Sequence, residues 1–113
     1  MFYCERCKRL TEKETCPVCK KARHIRPPKE DDAVLLCTIR HLLASMIEPL
    51  LQEEKIPYAK TPLESSTVLF GSTLLTNYSF YTPYEVYARA QELLEGVFSE
   101  DEEIRRALRE ARS

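Results

Sequence analysis

Four cysteines stand within the first nineteen residues, as Cys4-x2-Cys7 and Cys16-x2-Cys19, with eight residues between the pairs. A Cys-x2-Cys step puts two sulfurs on one tight turn, where backbone amides can donate to them. Two such turns facing each other supply four thiolates, which is the closed tetrahedral set of a structural zinc site. The chain shows no positively charged n-region followed by an apolar h-region. Its longest apolar runs, such as Ala33 to Cys37, are too short to cross a bilayer. A cytoplasmic, reducing setting is therefore expected, where paired Cys-x2-Cys motifs favour metal over disulfides. Cys4, Cys7, Cys16 and Cys19 are the expected ligands of one structural Zn2+ ion. Iron also accepts four thiolates. Lys8 and Lys20 follow the two turns, and a lysine beside thiolates offsets the negative charge of a zinc centre.

The elements that must position these thiols are small. Residues 1–22 hold only Phe2, Tyr3, Leu10, Val18 and Ala22 as apolar material besides the cysteines and Met1. Metal must then supply most of the folding free energy of this ribbon, about 10 kcal/mol or more. Lys8 to Thr15 is long enough for a hairpin that brings the turns together. Residues 23–32, with Pro27-Pro28, read as a linker in extended geometry. From Met1 to Lys29 there are nine basic and three acidic residues; the remainder has eight basic and fifteen acidic ones. A basic head thus sits on an acidic body, and Lys20, Lys21 and Arg23 are its candidate partner contacts. His24 reads as a solvated residue of the linker.

Residues 33–98 read as a second unit. The run 33–39 is a buried strand. Residues 40–56 carry Leu42, Leu43, Met46, Ile47, Leu50 and Leu51 on one helical face, with a kink or break expected at Pro49. Residues 56–62 suit an edge strand, 66–71 a strand ended by Gly71, and 77–82 a last strand dense in aromatics. Thr82, Pro83 and Glu85 predict a capped helix start, and Gly96 its stop. Ser99 and Glu102 repeat the capping pattern for a terminal helix over 99–113, striped by Ile104, Ala107, Leu108 and Ala111. The order suggests an α+β fold: a ferredoxin-like antiparallel sheet with helices on one face, plus the small zinc ribbon.

No catalytic set is legible. His24 and His41 are the only histidines, and His41 begins a helix, where positive charge is disfavoured. No serine or cysteine stands in a nucleophile elbow. Gly71 and Gly96 are isolated, so no phosphate loop is present. Glu53-Glu54 and Asp101 to Glu103 read as solvated or capping groups. Cys37 lies in an apolar run and reads as a core residue. Tyr78, Tyr81, Tyr84 and Tyr87 gather at one strand–helix junction and suit packing better than base stacking.

Two resemblances follow. The spacing C-x2-C-x8-C-x2-C resembles the double-knuckle zinc ribbons that bacteria attach to many unrelated domains, and it implies structural zinc without chemistry. Such knuckles commonly carry glycines that are missing here. Residues 33–62 and 78–94 are similar to the opening and close of the prokaryotic signal-transducing protein domain, a distant relative of the PII proteins. Leu50, Leu51, Ile56 and Pro57 carry the first half. Pro83, Glu85, Tyr87, Ala88, Ala90, Leu93 and Leu94 carry the second. This resemblance implies a ferredoxin-like regulatory domain without enzymatic activity. The chain lacks PII's long modified loop, and no ATP-binding residue transfers. The expectation is a non-enzymatic regulatory or interaction protein that binds a protein partner or small ligand and does not enter membranes. The alternative is a nucleic-acid-binding protein whose ribbon cations, Arg6, Lys8, Arg9, Lys13, Lys20, Lys21, Arg23 and Arg26, neutralise phosphates. A homodimer through sheet edges or faces is compatible with either.

Overall fold

The computed structural model describes residues 2–62 and 77–112. The strand expected over 66–71, with Gly71, lies outside the described residues. Six strands and three helices appear among the described ones: β1 (Phe2–Cys4), β2 (Arg9–Thr11), β3 (Ile25–Arg26), β4 (Ala33–Arg40), α1 (His41–Glu53), β5 (Ala59–Pro62), β6 (Asn77–Pro83), α2 (Tyr84–Val97) and α3 (Glu102–Arg112). They form an α+β protein with two antiparallel three-stranded sheets, ordered β2-β1-β3 and β4-β6-β5.

The larger sheet has two distinct faces because side chains alternate along each strand. Register pairs Val34 with Thr82, Cys37 with Phe80 and Ile39 with Tyr78. These residues face α1: Tyr58 packs on Phe80 at 5.9 Å between ring centres, and Glu48 of α1 accepts from Tyr58 and Lys60. Arg89 of α2 donates to the Glu54 carbonyl just past α1, at 2.9 Å. Leu35, Thr38 and Arg40 oppose Tyr81, Ser79 and Asn77 on the second face. A bulge between Leu35 and Cys37 makes room for the extra Leu36 and resets the alternation.

The second face is covered differently from the expectation of helices on one face only. Arg40 meets Glu103 of α3 at 2.9 Å, and Lys8 of the ribbon lies over the Tyr81 ring. The stripe Ile104, Ala107, Leu108 and Ala111 is buried, so α3 packs locally against β4 and β2. Burying Ile104 and Leu108 completely contributes about 1.5–3 kcal/mol each.

Helix α1 buries Leu43, Ala44, Ile47 and Leu51. Leu42 and Met46, expected on that face, lie more than about 100° round the helix from its centre and stay half exposed. Pro49 sits inside the helix and does not break it. The capping box expected at α2 is not formed. The Thr82 hydroxyl is buried without a partner among the described residues, and the Tyr84 and Glu85 amides donate instead to the carbonyls of Asp32 and Glu30, at 2.8 and 3.0 Å. At α3 the cap is Asp101 rather than Ser99, its carboxylate accepting from the Ile104 amide at 3.1 Å. Gly96 does not stop α2, which runs on to Val97.

A Cβ at Gly96 would meet nothing within 4 Å. Gly96→Ala is therefore expected to stabilise the protein by about 0.5–1 kcal/mol, since it removes only unfolded-state freedom from a helical position. Chemical denaturation reads the change.

Candidate metal centre

The first knuckle is itself the turn of the β1–β2 hairpin. Cys4 ends β1, and the chain re-enters β2 at Arg9. The expected hairpin over Lys8 to Thr15 is therefore displaced toward the N-terminus. Lys8 closes the turn at φ 54°, with its amide donating to the Cys4 carbonyl at 2.8 Å. The second knuckle repeats this. Lys20 stands at φ 57° and donates to the Cys16 carbonyl at 2.8 Å. Both lysines thus occupy the left-handed backbone region where a glycine would rest without strain.

The sulfur environment has the same two-fold repeat. The Arg6 and Cys7 amides point at the Cys4 sulfur, and the Val18 and Cys19 amides at that of Cys16. All four Sγ atoms lie within 4.8 Å of one another, and those of Cys4 and Cys19 are 3.7 Å apart. A tetrahedron with metal–sulfur bonds of about 2.3 Å has edges of about 3.8 Å, close to the Cys4–Cys19 separation, so the cluster is close enough to hold a metal ion. Cys4 and Cys16 are buried, and Cys7 and Cys19 half-buried. His24 is not in the cluster; it contributes its carbonyl to the Glu5 amide at 3.0 Å.

Without metal the thiols differ in acidity. Burial pushes Cys7 up to about 12, reinforced by the neighbouring sulfurs, and pushes Cys4 up as well. Burial also opposes ionisation of Cys16, but the Cys19 and Val18 amides outweigh it and bring this thiol down to about 7. Cys37 lies far from the cluster in sequence and is fully buried; its thiol is pushed up to about 12 by burial alone, as suits a core residue.

The ribbon does not stand apart from the body. Tyr3 and Leu10 belong to the same apolar cluster as Leu36, Phe80, Ile104 and Leu108. The Tyr3 hydroxyl donates to the Ala33 carbonyl at 2.6 Å, and burial raises its pKa to about 12. The Leu35 amide donates to the Lys8 carbonyl at 2.7 Å. Residues 23–32, read from sequence as a linker, contain β3, and Arg26 there grips Asp32 with two hydrogen bonds of 2.7 and 2.6 Å and also pairs with Glu5. This grip lowers the Asp32 carboxyl to about 2. Sequence reasoning missed these contacts. The one available signal was Tyr3, a large aromatic beside the first ligand in a ribbon with little else to pack on.

The candidate partner residues Lys20, Lys21 and Arg23 are exposed, as are Arg6 and Lys13, and none of these five has an ion pair among the described residues. Lys20, Lys21 and Arg23 lie on the second knuckle and the chain just after it, Arg6 on the first knuckle and Lys13 between the two. No helix among the described residues is long and apolar enough to cross a membrane. No protein-family model, curated protein or solved structure matches the chain.

Two outcomes follow from the centre. Lys20→Gly relieves left-handed strain and is expected to stabilise the metal-loaded protein by about 0.5–1 kcal/mol, the unfolded-state freedom of glycine offsetting part of the gain. Unchanged or lowered stability in thermal melts would contradict this. At neutral pH, Cys4 and Cys7 begin protonated, so metal uptake must release their protons. The heat of binding should therefore change with the ionisation enthalpy of the buffer, and a buffer-independent heat would show preformed thiolates.

Proposed function

We propose that this chain is a non-enzymatic interaction or regulatory protein. One structural zinc ion holds its N-terminal ribbon, and the ribbon and α+β body together present a surface to a protein partner or small ligand. The observation that carries the reading is the closed set of four sulfurs within 4.8 Å of one another. Four protein ligands leave no open position for substrate, which favours structure over catalysis. Zinc is the favoured ion because cationic lysines follow both knuckles and the site is all thiolate.

The body supports a ferredoxin-like reading. Strand order β4-β6-β5 is antiparallel throughout, and α1 connects β4 to β5 across the intervening β6. That is a split β-α-β unit. After α2 the chain enters α3, which packs beside β4. This arrangement is compatible with the resemblance to prokaryotic signal-transducing domains, and with a cytoplasmic role.

Lys20, Lys21 and Arg23 are the proposed contacts because their charge is not spent on an ion pair among the described residues. Native mass spectrometry of the purified chain should show one zinc per chain, and Cys16→Ser should lower zinc retention by a factor of 100 or so. Absence of bound metal after purification in zinc-containing buffer would refute the reading. The nucleic-acid alternative predicts salt-dependent binding to duplex DNA that disappears on charge reversal at Lys20 and Lys21.

A further inference from the structure

We propose that the metal centre acts as a latch that keeps the ribbon closed over Leu35 and Tyr81 on the second face and over the edge that β4 leaves unpaired among the described strands, so that metal loss uncovers them. The inference rests on the metal-binding reading above.

The ties between ribbon and sheet arise from residues next to the ligands. Lys8 directly follows Cys7. Its carbonyl takes the Leu35 amide at 2.7 Å, and its ammonium lies 5.3 Å from the Tyr81 ring centre. Arg9 donates to the Glu110 carbonyl of α3 at 2.9 Å. Tyr3, directly before Cys4, donates to the Ala33 carbonyl. Each of these groups is aimed by the first knuckle, and the Lys8 carbonyl is aimed by a strained left-handed residue. Strain of that kind persists only while the surrounding structure enforces it. The cross-link that enforces it is the metal joining Cys4 and Cys7 to Cys16 and Cys19.

The body has an independent reason to stay folded. Val34, Cys37, Ile39, Ile47, Phe80 and Leu94 are buried on the helix side. Releasing the ribbon therefore costs the body the cover over Leu35 and Tyr81 but leaves the packing of α1 and α2 in place. The Leu35 amide, now paired, becomes an open donor on the edge of β4, and an unpaired strand edge is a template for further pairing. Metal occupancy then decides whether this edge is closed or open.

Hydrogen exchange on the full chain tests the latch. Metal-loaded and chelator-treated protein are compared, with metal content followed by native mass spectrometry. Exchange at Leu35 should accelerate about tenfold or more on metal loss, while residues 41–53 of α1 keep their protection. Unchanged Leu35 exchange after verified metal loss overturns the latch, as does equal loss of protection in α1, which would mean one cooperative unit. The double variant Tyr3→Phe, Leu10→Ala leaves all four ligands intact. It should keep Leu35 protected while one metal ion per chain is retained and lose that protection on chelation; fast Leu35 exchange in the metal-loaded variant also overturns the proposal. A chain that holds no metal at all sinks the metal reading and the latch together, whereas a metal-holding chain whose Leu35 ignores metal loss sinks the latch alone.

Discussion

A ribbon this short cannot bury enough apolar surface to fold on its own, and the rest of the structure is organised around that shortage. Of its few apolar side chains, Val18 is half exposed while Tyr3 and Leu10 are buried. Those two do not form a separate core. They join the cluster of the body. The ribbon is thus held from two sides, by the thiol cluster at its turns and by the sheet under its strands. Lys8 stands where the two meet, with its amide bonded inside the knuckle and its carbonyl bonded to β4.

The joint between ribbon and body is equally economical. Arg26 pairs with both Glu5 and Asp32 and lies over the Tyr3 ring at 5.0 Å. The Asp32 carboxylate also accepts from the Lys29 amide, and the Asp32 carbonyl caps the first turn of α2. One short segment therefore turns the chain, ties the ribbon down and satisfies helix amides that would otherwise be orphaned. Two prolines suit it, because they restrict the extended backbone without needing amide donors.

The basic residues of the ribbon divide by use. Lys8, Arg9 and Arg26 point inward, to an aromatic ring, a carbonyl and two carboxylates. Arg6, Lys13, Lys20, Lys21 and Arg23 point outward with no ion pair among the described residues. A charge count treats all of them alike. Only the inward set contributes to holding the fold, and the outward set is what remains for recognition.

The thiol cluster was legible in the sequence because a knuckle is a local object: four residues and their own amides define it, and two copies at close spacing suffice. The α+β class, the terminal stripe on α3 and the core position of Cys37 were legible for the same reason, since apolar periodicity reports burial directly. The caps were misjudged where the competitor was distant in sequence. Thr82 has the right chemistry to cap α2, but its register against Val34 buries the hydroxyl, and the carbonyls of Glu30 and Asp32 arrive from fifty residues away. Leu42 and Met46 match the helical period but fall outside the face that β4 and β6 happen to cover. By itself the sequence determined which thiols meet and where the three helices and the strands of the larger sheet run, because those depend on near neighbours. Only tertiary structure decided that the ribbon lies on the sheet, because a hydrogen bond such as that between Leu35 and Lys8 needs two backbones whose meeting no local pattern records.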